Sequence, residues 1–337
     1  KFILRLDDTD PERSKQEYID AIKYDLDWLG LTWDHEEQQS KRLDRYVSAA
    51  EELKKNEKLY ECFESPTDLD LKRKKLLNMG RPPVYDRSAL ELTNEKKMML
   101  RTGNNPHWRF LLNDNRVNWV DKILGPISID SASVSDPVLI RADGQFLYTL
   151  ASVVDDVDMG ITDVVRGSDH VTNTATQIQI TEALSKSAPC YSHHSLLTGP
   201  AGENLSKRLG VMSLRDLRSA GIEPMAILSH LARLGSSQPG ELFNSVDNIE
   251  SVFDITTFGA APTKFEMQDL YPITSKYLSS LNFSEIKKRI TSAGATEHLW
   301  DVVKQNLITL DDFQYWLNLI VDGVEPLVDD LDRDYVN

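Results

Sequence analysis

The chain opens with a short apolar segment that runs directly into a cluster of acidic residues, and this junction most constrains the fold. Residues 2–6 are typical of a β-strand, and residues 7–10 hold three aspartates. Ser14 and Glu17 have the spacing of a capping box, which predicts that a helix begins there. Gly30 stands where a helix favours glycine after its last turn. Strand, acidic turn and helix predict an α/β unit.

The balance of charge limits the partners of the chain. Its 337 residues include 38 Lys and Arg against 53 Asp and Glu, which gives a net charge of −15 at neutral pH. Such a chain does not bind nucleic acid unspecifically, because phosphates repel it on average. An RNA partner therefore needs a locally basic face, for which the run Lys72-Arg73-Lys74-Lys75 is the candidate.

Cysteine usage and hydropathy exclude several classes of protein. Cys62 and Cys190 lie far apart, which excludes a disulfide framework and a multi-cysteine zinc site. Cys62 and Glu64 are like half of a zinc knuckle with no second half, so we expect no protein-bound zinc or other metal. No apolar run approaches the roughly 18 residues that a membrane span needs, and we expect a cytoplasmic protein without a membrane partner.

The pattern of elements changes along the chain. A helix is predicted over residues 44–55, and residues 56–147 have the mixed character of an inserted α+β module. A second α/β stretch follows, with a strand end at 163–166 and a helix over 174–185. Helical spacing relates five sets of apolar residues: Ile19, Ile22, Leu26 and Leu29; Tyr46, Ala50 and Leu53; Leu228, Leu231 and Leu234; Phe283, Ile286 and Ile290; and Trp300, Val303 and Leu307.

Two charged segments are candidates for binding a substrate. Asp7 follows a strand, where α/β sheets bind ligands, and its carboxylate can pair with an ammonium group. The structural alternative is that these acids stabilise the helix N-terminus. Residues 202–210 form a glycine-flanked loop with Ser206, Lys207 and Arg208, which can close over a polyphosphate. The alternative for this loop is a solvated basic linker.

Arginine and histidine side chains in the second α/β stretch offer further chemistry. Arg166 follows a strand and can clamp a carboxylate through paired hydrogen bonds. His170 beside Asp169 is more often a structural residue than a catalytic base. His193 and His194 point in different directions on any regular element, so we expect no shared metal.

In their order and spacing these segments resemble the glutamyl-tRNA synthetases, a family of class I aminoacyl-tRNA synthetases, nearly from end to end. The motifs that carry the resemblance are residues 2–14, 83–87, 106–110, 148–152, 154–156, 160–167 and 204–208, the last at the place of the family's KMSKS loop. The resemblance implies an α/β class I synthetase fold of Rossmann type, split by an α+β insertion and followed by a mainly helical C-terminal region.

The resemblance also implies a division into domains. It gives the first half of the catalytic domain as residues 1–45, the inserted acceptor-stem-binding domain as 46–147 and the second half of the catalytic domain as 148–200. The KMSKS-like loop and stem-contact domain would span residues 201–280, and a helical anticodon-binding domain would begin over 281–337.

The implied reaction is the activation of L-glutamate by ATP. The α-carboxylate attacks the α-phosphate of Mg-ATP to give glutamyl-adenylate and pyrophosphate, and the glutamyl group then moves to the 3′ end of tRNA(Glu). In this family the first step usually needs bound tRNA. ATP and Mg²⁺ are the implied cofactors, and a monomer is the default state. The sequence leaves open whether tRNA(Gln) is a second partner.

The family's site residues carry over by matching position. Lys207 would stabilise the phosphates of ATP and the leaving pyrophosphate, with Ser206 and Arg208 shaping its loop. The matching ATP-binding positions are Lys207, Asn204, Leu205, Leu196, Leu197 and Asp169. The matching glutamate-binding positions are Asp7, which would hold the ammonium group, and Tyr148, Ser152 and Arg166.

The chain departs from the family pattern at several points. The family's first signature, with its HIGH histidines, would precede Lys1, and the helices after residue 280 resemble only the first part of the anticodon-binding region. A chain without the first segment would hold half of an ATP site. Asn204 stands where the family usually has Lys, Asp7 where it usually has Glu, and Ser152 where it usually has Asn.

Three alternatives remain at this level. One is the related enzyme that attaches glutamate to a modified tRNA base, which lacks the helices that residues 280–337 begin. A second is a tRNA-binding protein without catalysis. The third is glutaminyl-tRNA synthetase, whose pattern has Asn where this chain has Asp10.

Overall fold

A computed structural model describes residues 2–10, 12–199, 201–203, 213–290 and 294–323. The chain divides into two compact units. The first unit comprises Lys1–Tyr24, Thr32–Leu196 and Asp254–Pro262, and the second comprises Asp25–Leu31, Leu197–Phe253 and Thr263–Asn337. No described helix combines the length and the apolar character needed to cross a bilayer.

The first unit mixes helices with short strands. Its strands are β1 (Ile3–Leu6), β2 (His35–Gln38), β3 (Leu59–Cys62), β4 (His107–Phe110), β5 (Arg116–Asp121), β6 (Gly125–Asp130), β7 (Val138–Ile140), β8 (Asp163–Gly167) and β9 (Cys190–His194). Its helices are α1 (Gln16–Trp28, whose end lies in the second unit), α2 (Leu43–Lys55), α3 (Pro66–Asn78), α4 (Asn94–Arg101), α5 (Tyr148–Asp158) and α6 (Val171–Ala183).

Three sheets organise this unit. Strands β1 and β2 pair in parallel, and β3, β4 and β7 form an antiparallel sheet. The third sheet has the order β6-β5-β9-β8, in which β8 and β9 run parallel over five residue pairs. The hairpin of β5 and β6 comes from the segment predicted as an insertion, yet β5 joins β9 of the second α/β stretch.

The core of the first unit forms where α2, α5 and α6 meet the β3-β4-β7 sheet. Tyr46 and Leu53 of α2 are fully buried there with Leu150 of α5 and Ile180 of α6. The predicted stripe of Tyr46, Ala50 and Leu53 is therefore confirmed. Burial of such side chains contributes about 1.5–3 kcal/mol each, so this core fixes the N-terminus of α5 firmly.

The start of α1 differs from the prediction, whereas its end agrees with it. The backbone N–H of Ser14 donates to Asp10 O at 3.0 Å, which forms a separate turn, and α1 begins only at Gln16. The capping box predicted at Ser14 is therefore wrong, because the helix begins two residues after Ser14 instead of directly after it. Gly30 has φ +75° and closes the helix with a hydrogen bond from Leu31 N to Leu26 O at 2.9 Å, as a Schellman motif does.

The second unit is mainly helical in its described residues. Its elements are β10 (Leu197–Thr198), α7 (Leu214–Ser219), α8 (Pro224–Arg233), α9 (Val246–Val252), β11 (Thr263–Lys264), α10 (Leu270–Ser280), α11 (Phe283–Ile286), α12 (Glu297–Val303) and α13 (Asp312–Asp322). Strands β10 and β11 pair in parallel. Fully buried Trp300 donates from its indole nitrogen to Leu281 O at 2.9 Å, which satisfies the polar atom of the largest core side chain.

The predicted stripes of this unit have different outcomes. Trp300, Val303 and Leu307 are buried in one cluster with Ile286, as predicted. Leu231 is 40% exposed and does not share a buried stripe with its predicted partners. The buried face of α8 runs instead through Met225, Ser229 and Ala232, about 100° or more around the helix from Leu231. Ile22 of α1 is 45% exposed and also lies off the buried face of its predicted stripe.

Candidate active site

The acidic turn after β1 is held in place from two sides. Asp8 accepts hydrogen bonds from Ser40 N at 2.8 Å and Ser40 Oγ at 2.7 Å. The carbonyl of Thr9 accepts from Gln145 Nε2 at 2.9 Å. A cavity of about 710 Å³ opens beside this turn, with Thr9, Asp10 and Gln145 in its lining. The turn is thus a fixed rim of a ligand-sized space.

Arg5 brings two predicted site residues together. Its Nε donates to Asp7 Oδ1 at 2.8 Å, and its Nη2 lies 3.4 Å from Ser152 Oγ. Its Nη1 donates to Asp156 Oδ1 at 2.8 Å. Burial of Asp156 raises its pKa against the opposing effect of Arg5. Sequence reasoning missed Arg5 as a site residue, although its position two residues before Asp7 on an extended segment places both side chains on one face.

Helix α5 presents two of the predicted glutamate-binding residues. Tyr148 is its first residue and Ser152 lies four residues further, so both project from one face of the helix. Tyr148 is 41% exposed and meets the His170 ring edge-on at 6.2 Å. Ser152 is buried beside Arg5. Tyr148 is therefore accessible from solvent, while Ser152 lies inside the charged cluster.

Arg166 is held by neutral side chains. Its Nη1 donates to Gln177 Oε1 at 2.6 Å, its Nη2 donates to Thr174 Oγ1, and its Nε lies 3.4 Å from His193 Nε2. Its guanidinium also lies over the Tyr191 ring at 5.3 Å. These contacts orient the fork, but none of the partners carries a formal negative charge. Asp156 lies within electrostatic reach of Arg166 but accepts its hydrogen bond from Arg5, so the Arg166 fork can still pair with a ligand anion such as a carboxylate.

His193 is fixed in one tautomer behind Arg166. Its Nδ1 lies 2.5 Å from Asp121 Oδ2, and both groups are fully buried. Burial lowers the pKa of His193, although Asp121 opposes the shift. With Nδ1–H donating to Asp121, Nε2 remains as the acceptor that faces Arg166 and Thr174. His194 is exposed on the same strand, which agrees with the prediction that the two rings diverge.

Two of the predicted ATP-binding residues lie close to Gly167. A Cβ added at Gly167 would lie 2.5 Å from Asp169 Oδ1 and 3.0 Å from Leu196 Cδ2. Asp169 and Leu196 thus both lie close to Gly167, directly after Arg166. Leu197 has its half-buried side chain against the core of the second unit, near Phe265 and Ile227.

Five predicted residues of the KMSKS-like loop lie outside the described residues. They are Asn204, Leu205, Ser206, Lys207 and Arg208.

A cluster of three potential metal ligands forms in the first unit, and sequence reasoning missed its third member. One ligand atom each of Cys62, Glu64 and His107 lies within 4.8 Å of the others. Glu64 Oε1 already accepts from Tyr85 OH at 2.7 Å, and Lys72 Nζ lies 3.3 Å away. Burial raises the pKa of the Cys62 thiol to about 11. A cation at this cluster would have to displace the thiol proton and compete with Lys72 for Glu64.

The basic run on α3 lines a cavity of about 490 Å³. Lys72, Arg73 and Lys75 face it together with Arg81 and Arg109. Arg109 is buried with its guanidinium 4.2 Å from the centre of the Tyr85 ring. The structure therefore gathers cations of the predicted basic face around one surface opening.

Known proteins resemble the chain over nearly its whole length. The family described as tRNA synthetases class I (E and Q), catalytic domain, matches residues 1–272. Glutamate–tRNA ligase 2 of Cereibacter sphaeroides is 61% identical, over 99% of this chain and 77% of the relative. Glutamate–tRNA ligase 1 of Ruegeria pomeroyi has the same identity and coverage.

A solved structure shares the fold. The crystal structure of a glutamate tRNA ligase from Elizabethkingia meningosepticum, in complex with its amino acid, matches with a TM-score of 0.81 at 24% identity. The match covers 99% of this chain and 76% of the other. The class I synthetase fold expected from the sequence is thereby confirmed.

Proposed function

The chain belongs to the class I tRNA synthetases for glutamate and glutamine, and we propose that it is a glutamate–tRNA ligase. It activates L-glutamate with ATP and transfers the glutamyl group to the 3′ end of tRNA(Glu). The observation that carries this proposal is the high identity to glutamate–tRNA ligases along 99% of the chain. The first unit supports it with a carboxylate, Asp7, and a cation, Arg166, whose charges suit the two ends of an amino acid.

Glutamate would be recognised by charge at both ends. Arg166, oriented by Gln177 and Thr174, would pair with a carboxylate of the substrate. Asp7, oriented by Arg5 and 39% exposed, would hold the ammonium group. The hydroxyl of Tyr148 would donate to the same substrate, and Ser152 would keep Arg5 in place. A substrate read by ion pairs is discriminated strongly, because a neutral analogue leaves a buried charge unpaired.

ATP would bind beside Gly167. Asp169 and Leu196 both lie close to Gly167 and would border the nucleotide, with Leu197 as a further neighbour. Asn204, Leu205, Ser206, Lys207 and Arg208 would form the loop over its phosphates. Mg²⁺ would enter with ATP and share the neutralisation of its phosphates. The reaction depends on positioning and on cations near the transferred charge more than on a general base.

The RNA would meet the chain at the cations around α3. The overall charge of −15 repels phosphate, so a local cluster has to supply the attraction. The cavity with Arg73, Lys75 and Arg81 supports this placement.

The domain boundaries expected from the resemblance stand as part of this proposal. Residues 1–45 and 148–200 would form the catalytic domain around the acceptor-stem-binding residues 46–147. Residues 201–280 and 281–337 would carry the stem-contact and anticodon-binding regions. A monomer in the cytoplasm, where tRNA and ATP are used for protein synthesis, completes the proposal. Charging of tRNA(Gln) in addition to tRNA(Glu) would be decided by anticodon contacts.

The test is ATP–pyrophosphate exchange by the full-length protein with tRNA present. Exchange is expected with glutamate and not with glutamine. Lys207→Ala should lower the rate by roughly 10²-fold, because it removes a cation that stabilises the transition state. Exchange at the parent rate in Lys207→Ala would remove Lys207 from the mechanism. Exchange with neither amino acid would favour a tRNA-binding protein without catalysis.

A further inference from the structure

One cavity in the second unit is lined by residues that have no part in the glutamate and ATP sites proposed above. It has a volume of about 440 Å³ and is formed by α8, the loop over residues 234–242 and α10. A space of this size accommodates a small organic ligand. Ile273, Leu242 and Leu234 supply apolar walls, and His230, Arg233 and Lys276 supply nitrogen donors.

The buried arginine of this cavity is incompletely paired. The Arg233 side chain is only 10% exposed. Its Nη2 lies 3.4 Å from Glu241 Oε2, and Glu241 is itself 57% exposed. Its buried Nε has no hydrogen-bond partner among the residues that the structure describes. A guanidinium carries five N–H donors, and burial without acceptors is costly, so the site favours an incoming anion.

Two further donors converge on the same space. The buried Nε2 of His230 has no hydrogen-bond partner within the described parts of the chain. Lys276 is exposed on α10 and lines the cavity from the opposite element. The guanidinium of Arg233 is also fixed over the Phe243 ring at 5.1 Å, which orients it before any ligand arrives. Two cations, Arg233 and Lys276, and the ring nitrogen of His230 therefore face one lining carboxylate, that of Glu241, and this balance favours an anionic ligand.

We propose that this cavity binds a phosphate monoester carried on an apolar body, of the size of a nucleoside monophosphate. The phosphate would accept hydrogen bonds from Arg233 and His230 and pair with Lys276, while the apolar body would pack against Ile273 and Leu242. The same chemistry reaches the cavity either as a free nucleotide or as a terminal phosphate of an RNA. This site is independent of the glutamate and ATP sites proposed above.

The first probe is phenyl phosphate, which carries the monoester on an apolar ring and has no base to bind elsewhere. Calorimetric titration of the full-length protein should give saturable binding. Arg233→Met keeps the side-chain volume and should weaken binding by about 10- to 100-fold, since charge-assisted hydrogen bonds are lost. Arg215→Met, on exposed α7 of the same unit, is the matched control and should bind like the parent.

The unfolding midpoint separates a ligand site from a structural role. Phenyl phosphate should raise the midpoint of the parent and of Arg215→Met but not that of Arg233→Met. If Arg233→Met fails to fold, Lys276→Met at an exposed position still tests the site, with an expected loss of about 3- to 10-fold in affinity. Equal binding by parent and both cavity variants, or no binding by the parent, overturns the proposal.

Two arms distinguish the sources of the phosphate. If the ligand is a free nucleotide, UMP binds the parent, Arg233→Met abolishes that binding, and the affinity for tRNA is unchanged. If the phosphate belongs to an RNA, Arg233→Met also weakens tRNA binding and lowers its salt dependence. Either result supports the site. If Arg233→Met weakens neither the binding of UMP nor the binding of tRNA, the proposal is contradicted.

Discussion

Arg166 is held by neutral side chains, and this leaves its guanidinium able to pair with an anion. Gln177, Thr174 and His193 fix the direction of its guanidinium without cancelling its charge. A carboxylate in any of these places would occupy the fork. For the glutamate site proposed above, this means that the direction of the Arg166 guanidinium is fixed before a carboxylate binds.

Arg166→Lys tests whether the fork itself matters. Lysine keeps the charge but loses the paired donors and the contacts with Gln177 and Thr174. The kcat/KM for glutamate should fall by roughly 10- to 150-fold, equivalent to about 1.5–3 kcal/mol for a hydrogen bond to a charged group. Steady-state charging assays measure this, and Arg116→Lys on an exposed side chain is the control. An unchanged kcat/KM in Arg166→Lys contradicts the assigned role.

The buried His193 gives the stability of the fold a pH dependence of known sign. Burial lowers the pKa of His193, whereas an unfolded histidine titrates near ~6.5. The unfolded chain therefore takes up the proton first as the pH falls. The stability that His193 contributes is complete at a pH above the pKa of the unfolded state. It is lost as the pH falls below that pKa and through the lower pKa of the folded state. The charged groups that face it are Asp121, Arg166 and, when protonated, His170.

His193→Gln should remove this dependence. The slope of the free energy of unfolding against pH, between about pH 6.5 and 5, should decrease by up to about 1.4 kcal/mol per pH unit. Denaturant titrations at several pH values measure the slope. His194→Gln, on the exposed neighbour, should leave it unchanged. The same slope in both variants would show that His193 does not titrate on unfolding.

At the scale of elements, α3 depends on its ends more than on its packing. No residue of this helix is buried. Ser65 caps it by accepting from Asp68 N, and Asp68 accepts in return from Ser65 N at 3.1 Å, with Pro66 at the first helical position. Without a buried face, the capping box supplies much of the local stability. The cations of α3 therefore keep their places through this capping box together with the hydrogen bonds of Lys72 Nζ to Asp86 and Ser88.

Ser65→Ala should loosen α3 and the RNA contact together. Loss of such a cap costs about 0.5–2 kcal/mol, and amide exchange along α3 should quicken accordingly. The affinity for tRNA should fall while the KM for glutamate stays unchanged. Ser213→Ala removes the equivalent box of α7 in the other unit and is the matched control. Unchanged exchange in Ser65→Ala contradicts a cap-dependent α3.

Elements were more predictable than the faces that they bury. The strand at 163–166, the helix over 44–55 and the glycine end of α1 follow from local patterns and agree with the structure. The start of α1 does not follow from a local pattern. A turn that begins at Asp10 precedes the helix, and residue spacing does not show this turn. Leu231 shows the other limit, since residue spacing alone does not show which face of α8 is buried.

At the scale of the whole molecule, the site residues stay predictions from the sequence, and only the structure shows the contacts between them. Asp7 and Ser152 are 145 positions apart, and only the folded chain shows that Arg5 links them. The partners of Arg166 come from α6 and β9, and Asp121 reaches His193 from the hairpin of the inserted segment. Long-range pairings of this kind depend on packing, which local patterns do not encode.

The most direct test of the glutamate–tRNA ligase assignment is the charging of tRNA by the full-length protein with labelled glutamate or glutamine. The account predicts that glutamate alone is attached, that tRNA lacking its 3′-terminal adenosine accepts none, and that Arg166→Lys lowers the rate. Attachment of glutamine would contradict the assignment of the substrate. Attachment of glutamate to tRNA without its terminal adenosine would instead indicate an enzyme that modifies a tRNA base.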